Sequence, residues 1–297
     1  MFAIIAPYRC WEVGPGNMKY TALGKINLFA AIYGKMFAAI IRPGIWLPFF
    51  ILALFQVAAL YGLARFYLPG WYSIIFPILS SFLPPQVLHY PQYYLALPAI
   101  YSGFDSFILG PTVWVVLSAV AVYKLGGYHA GGNRPLGEEF RSAFRAYLPL
   151  LAFWAIETAV ILVVLMVPSL MLKSTVWGSL NRKIALDLGL QMAGFGVSAF
   201  LIYSIPGIMV GGRGLGSAIS KSLHLCWKNF FLTFFIIFIP GLPKVILNIV
   251  LSEFSPRMIQ LLNPELIIAL LGLQIGIGIL INLFIYGSAV FVYKEMA

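Results

Sequence analysis

The sequence predicts an all-α membrane protein. Six transmembrane helices form three hairpins, each preceded by a cytoplasmic amphipathic helix, and an interfacial or re-entrant segment lies on the outer side. Three observations carry this expectation. Hydrophobic residues make up 61% of the 297 positions and Asp, Glu, Lys and Arg only 9%, where soluble domains carry about a quarter charged. The mean hydropathy is +0.94. The apolar residues fall in continuous runs rather than in alternation, which favours helices over a barrel. Soluble globular, disordered, coiled-coil and collagen classes are excluded.

Apolar segments of spanning length run near 46–64, 106–123, 148–172, 186–208, 229–252 and 265–293; a span needs about 20 residues. The fifth contains Pro240, Gly241 and Pro243, which predict a kinked or broken helix with freed backbone groups.

Orientation follows from the basic residues. With the N-terminus inside, the inner side receives Arg9, Lys19, Lys25, Lys35, Arg42, Lys124, Arg134, Arg141, Arg145, Arg213, Lys221, Lys228 and Lys294. The outer side receives Arg65, Lys173, Arg182, Lys183 and Arg257, and Lys244 lies within the fifth span. Both termini are therefore expected in the cytoplasm of a prokaryotic-type inner membrane. The same rule accounts for the net charge of +10, and no basic run or motif points to nucleic acid. Cys10 and Cys226 have no metal or redox spacing, and a disulfide is not expected on the cytoplasmic side. No cleavable signal peptide is expected either.

The even-numbered spans share a motif. Ser118-Ala-Val-Ala-Val-Tyr123 matches Ser198-Ala-Phe-Leu-Ile-Tyr203 and Ser288-Ala-Val-Phe-Val-Tyr293. Double glycines follow the first two, at Gly131-Gly132 and Gly211-Gly212, and then Asn-Arg-Pro-Leu-Gly (133–137) and Arg-Gly-Leu-Gly (213–216). The odd spans open alike, at Trp46-Leu-Pro, Tyr147-Leu-Pro and, more loosely, Trp227-Lys-Asn. These matches predict a threefold repeat with units near 20–124, 131–204 and 211–294 in one polytopic domain. Small Ser-Ala pairs let helices approach closely.

Each unit opens with an apolar stripe at helical spacing beside basic residues, as in a helix lying in the interface. In the second, Leu136, Phe140, Phe144 and Tyr147 oppose Glu138, Arg141, Ser142 and Arg145. In the third, Leu215, Ile219, Leu223 and Trp227 oppose Ser217, Lys221, His224 and Lys228. In the first, Ile26, Phe29, Tyr33, Phe37 and Ile40 oppose Asn27, Lys35 and Arg42. Each Lys or Arg near anionic lipid contributes about 1 kcal/mol. Lys35, Arg42, Arg141, Arg145, Lys221 and Lys228 are thus candidate contacts to lipid or to a docked partner.

Residues 66–104 contain no Lys, Arg, Asp or Glu. They carry Trp71, Tyr72, Tyr93 and Tyr94, which suit the headgroup level, and prolines that argue against a seventh span. Short interfacial or re-entrant helices are expected near 71–82 and 90–101. Lipid, a protein partner or a hydrophobic ligand would cover them.

Glu157 sits about ten residues into the third span, where a carboxylate costs at least about 2.5 kcal/mol unless protonated, paired or wet. Gln56 is its equivalent in the first repeat, and Lys244 is the candidate counter-charge. These three are either a proton- or ion-coupled site near a broken helix or a structural hydrogen-bonded set with Lys244 snorkelling outward. No Walker loop, GxSxG, HExxH, CxxC or paired His/Glu cluster occurs, so no enzyme, metal or cofactor is expected. Bound lipid is.

The run from Gly211 to Phe231 combines Leu-Gly, a basic amphipathic helix, an aromatic and a span, with an echo from Gly131 to Leu151. It resembles a loose family of six-span bacterial inner-membrane proteins that includes the membrane domain attached to some glycerophosphodiester phosphodiesterases. The resemblance implies fold and membrane location. It implies no activity, because those enzymes keep catalysis in a separate soluble barrel that is absent here. The outer segment departs from that family's compact hairpins.

Two functions follow as expectations. The first is a non-catalytic membrane subunit that scaffolds or anchors a larger complex and contacts lipids and protein partners. The alternative is a permease or carrier for a lipid or other hydrophobic solute, using Glu157, Lys244 and the fifth span.

Overall fold

The computed structural model describes residues 22–132, 135–176, 180–254 and 263–296. Cys10, Arg9, Lys19, Arg134 and Arg257 lie outside them. The described residues form helices and turns with no strand. Six helices are long and apolar enough to cross a membrane, the signature of an integral membrane protein.

Helix α1 spans Ala22–Ile40 and α2 spans Pro43–Ala64. Proline at the start of α2 suits a position where its missing N–H costs nothing. The corner is closed by the Arg42 N–H donating to the Ala39 carbonyl and by Trp46 Nε1–H donating to the Ile40 carbonyl at 2.7 Å. The segment beyond α2 folds into α3 (Pro69–Phe82), a 3-10 turn (Pro85–Leu88) and α4 (Gln92–Phe104).

Helix α4 does not end as a separate outer helix. It continues through a π-helical stretch, Asp105–Trp114, into α5 (Val115–His129), so one apolar element runs from Gln92 to His129. The widened turn passes Gly110 and Pro111, and a Cβ on Gly110 would lie 2.8 Å from Trp154 Nε1. Insertion of one residue into a helix is the usual way to absorb such a local misfit.

Next come α6 (Leu136–Arg145), α7 (Tyr147–Val176), α8 (Leu180–Leu201), the short α9 (Ser204–Met209) and α10 (Leu215–Lys228). Helix α11 (Phe230–Ile249) leads through a π stretch (Val250–Phe254), and α12 (Leu266–Met296) completes the bundle. The fifth span is not broken: α11 runs through Pro240, Gly241 and Pro243 without interruption. The Phe195 ring of α8 occupies the space beside Gly241, where a Cβ would meet it at 2.7 Å. Packing against α8 and α12 offsets the two hydrogen bonds that the prolines remove.

Helix α5 and the second half of α12 sit at the centre. Val115 to Val122 are buried without exception, and so are Tyr286 to Tyr293. Phe49, Phe153, Leu283 and Met209 pack around them. A second cluster joins Leu63, Leu97, Ile267 and Leu271 beneath α3 and α4, and a third joins Tyr203, Cys226, Ile236 and Val292. Helix α7 is the most peripheral span, with only 11% of its apolar window covered by the rest of the chain.

Candidate functional site

Polar recesses interrupt the apolar packing of the described residues, and two of them are large. The first opens among α4, α11 and α12 and has a volume of about 730 Å3. Its polar wall comes from residues inside three spanning segments: Tyr101, Ser102, Asp105 and Ser106 from one, Lys244 and Asn248 from another, and Gln274 from a third. Leu95, Pro98, Leu251 and Leu271 supply its apolar part.

Several of these groups are held by hydrogen bonds. Gln56 Nε2–H donates to Asp105 Oδ1 at 2.9 Å, which anchors the carboxylate from α2. Gln274 Nε2–H donates to Asn248 Oδ1 at 3.1 Å and fixes the opposite wall. The Tyr101 hydroxyl is buried and has no hydrogen-bond partner among the described residues. Among those residues no carboxylate comes within ion-pair distance of Lys244. The recess thus offers one cation, one anchored carboxylate, an amide pair and an unused hydroxyl. Such a mixture can bind a molecule with a polar end and an apolar body.

The second recess, of about 780 Å3, lies where α1, the start of α2, the ends of α5 and α12, and α6 meet. Lys35, Arg42, Lys124 and Lys294 face Glu139 and Glu295 there. Lys124 Nζ pairs with Glu139 Oε2 at 3.2 Å, and Lys35 Nζ pairs with Glu295 at 3.6 Å. The Arg42 guanidinium stacks 4.4 Å from the Tyr128 ring centre. The Lys294 ammonium donates to the Gly126 carbonyl at 2.6 Å.

The structure separates the expected intramembrane partners. Glu157 is half-buried on α7 and lines neither recess. Its electrostatic neighbour is Tyr286 of α12, which also bonds Ser118, and no ion pair joins it to Lys244. The separation arises because α7 stands at the edge of the bundle while Lys244 turns toward α4 and α12. Gln56 has Asp105 as its partner instead of a counterpart of Glu157.

Of the outer aromatics, Trp71 and Tyr72 are exposed, whereas Tyr93 and Tyr94 are 3% and 6% exposed and belong to the core. Tyr93 donates its hydroxyl to the Leu63 carbonyl at 2.7 Å. They are interior because α4 folds back along α2 and α12, so their rings cover the chain itself. Arg141, Arg145 and Lys228 are exposed, Lys221 is half-buried and Lys35 lies over the Phe291 ring at 3.9 Å. Among the described residues no cluster of three or more His, Cys, Asp or Glu side chains is placed to hold a metal ion.

No protein-family model, curated protein or solved structure matches the chain.

Sequence reasoning passed over Asp105, Asn248 and Gln274. Each is a single polar residue inside an apolar run, and that was their available signal. Assembling them required knowing that α4 belongs to the second span. Glu139 and His129 were hidden differently, because they stand in stretches that read as loop and surface helix.

Proposed function

We propose that this protein is a membrane carrier for an amphipathic solute, with the recess around Lys244 and Asp105 as its binding site. The observation that carries the reading is a polar recess built from three spanning segments and lined by a cation, an anchored carboxylate and a tyrosine whose buried hydroxyl has no partner among the described residues. Polar groups in such segments are costly, and they commonly mark pathways. In this reading Lys244 meets an anionic or acceptor end of the solute, Tyr101 and Asp105 meet its donors, and Leu95 and Leu251 cover its apolar part.

The same proposal places both termini in the cytoplasm of an inner membrane. The three span pairs are hairpins, each entered through an amphipathic helix: α1, α6 or α10. The burial of Ala119, Ala199 and Ala289 at equivalent motif positions supports an internal repeat, and the resemblance to six-span inner-membrane domains remains part of the reading.

Water access tests the carrier. In a background with Cys10 and Cys226 replaced, Ser106→Cys lines the recess and its neighbour Phe107→Cys does not. A membrane-impermeant thiol reagent is expected to label Ser106→Cys in intact vesicles of one orientation and to spare Phe107→Cys. Equal, slow labelling of both would mean that the recess is filled by lipid tails, and the carrier reading would fall.

A second reading is the non-catalytic subunit that anchors a complex. The sparse intramolecular cover of α7 favours it, since Val163, Leu170 and Met171 stand exposed along that helix. Lipid alone also satisfies such a face, which is why the carrier is preferred.

A further inference from the structure

We infer that the recess at the junction of α1, α2, α5, α6 and α12 binds a phosphate monoester. The site is separate from the recess around Lys244 and does not depend on the carrier reading. Four cationic side chains and two carboxylates line it, so the lining carries more positive than negative charge. The Arg42 guanidinium lies over the Tyr128 ring, and its N–H groups are the donors that an anion in the recess would take.

A second, independent feature narrows the chemistry. Glu139 is completely buried, and only one of its oxygens, Oε2, is bonded, to Lys124. Its Oε1 has no partner among the described residues, and neither has the buried His129 Nε2 on the adjoining helix. Buried polar atoms in this state call for a partner. The recess therefore asks for acceptors toward its cations and for a donor toward Glu139.

A phosphate monoester in its monoanionic form supplies both, through charged oxygens and one O–H. A phosphodiester of the same charge has no O–H and cannot meet Glu139. A carboxylate offers fewer acceptors and, when ionised, no donor. The chemistry is shared by a soluble sugar or glycerol phosphate and by a lipid ending in a phosphate monoester.

The test uses the full chain purified in detergent and titrated by calorimetry with three probes: glycerol 3-phosphate, short-chain phosphatidic acid and short-chain phosphatidylmethanol, a diester whose headgroup has no O–H. The two monoesters are expected to bind at least about tenfold more tightly than the diester, in a salt-sensitive manner. Arg42→Gln is expected to weaken monoester binding about tenfold or more, and Lys35→Gln serves if that variant does not fold. Lys183→Gln removes the same charge from an exposed position on α8 and should leave affinity unchanged.

Binding of phosphatidic acid without glycerol 3-phosphate would identify a lipid headgroup as the ligand. Comparable binding of both would show that the headgroup alone suffices. No binding of either monoester, equal binding of the diester, or equal losses in Arg42→Gln and Lys183→Gln would overturn the inference.

Discussion

Gln56 of α2 donates a hydrogen bond of 2.9 Å to the carboxylate of Asp105, a residue 49 positions later at the start of the π-helical stretch. The bond ties the first span to the second inside the apolar part of the bundle. It also fixes one wall of the recess that Lys244 faces. Leaving a half-buried carboxylate without its donor costs about 1–3 kcal/mol. Gln56→Leu should therefore lower thermal stability in detergent by a free energy of that order. Asp105→Asn keeps an acceptor oxygen and should cost less. Equal stability of Gln56→Leu and wild type would show that water replaces the amide.

The ion pair between Lys124 and Glu139 gives a second expectation. The Glu139 side chain is 1% exposed and that of Lys124 13%. Removing one partner of a buried pair strands a charge and costs about 3–5 kcal/mol, whereas replacing both is often nearly neutral. Lys124→Met should be strongly destabilised in denaturant titrations, and Lys124→Met with Glu139→Leu should recover most of the loss. Additive losses in the double-mutant cycle would contradict a coupled pair.

Two glycines of α12 should respond oppositely to alanine. A Cβ at Gly287 would collide with the buried Met36 side chain, while nothing lies within 4 Å of the corresponding point on Gly278. Gly287→Ala should lose about 1–3 kcal/mol by overpacking. Gly278→Ala should be neutral or slightly stabilising, since alanine favours the helix by up to about 1 kcal/mol. Thermal unfolding of the two variants side by side checks the register of α12.

Cys226 supplies a pH-dependent expectation. It is completely buried on α10, and burial pushes its thiol up to about 11. The neutral thiol is thereby favoured in the folded protein, and the reactive thiolate is scarce at pH 8. Alkylation of Cys226 should be slow at that pH in the native protein and should accelerate on unfolding. Over the ordinary thiol range the native rate should stay low and keep climbing with pH, without the levelling-off that a free thiol shows above its own pKa. Rapid native labelling at pH 8, read by peptide mass, would show an open α10 interface.

The fold class was legible because it rests on long apolar runs. Residues such as Val115 to Val122 can be nothing but a buried or lipid-facing helix. The site was less legible. Lys244 was visible as a lone cation in an apolar span, but its surroundings depended on α4 joining the second span. The prolines up to Pro98 argued against that junction, and tertiary packing with a π turn overrode them. Tyr93 and Tyr94 read as interfacial because aromatic composition cannot tell a headgroup from the flank of a neighbouring helix. Glu157 drew attention through depth alone, and depth does not reveal which neighbours a helix at the edge of the bundle meets.

The claim that Lys244 and Asp105 frame a binding site is tested most directly by native mass spectrometry of the protein taken gently from its own membrane, with Lys244→Met run in parallel. The account predicts that the wild-type chain carries a defined small molecule and that Lys244→Met, equally folded, has lost it. A wild-type chain with no bound small molecule, held at fixed stoichiometry to other proteins, would contradict the carrier and leave the anchoring subunit in its place.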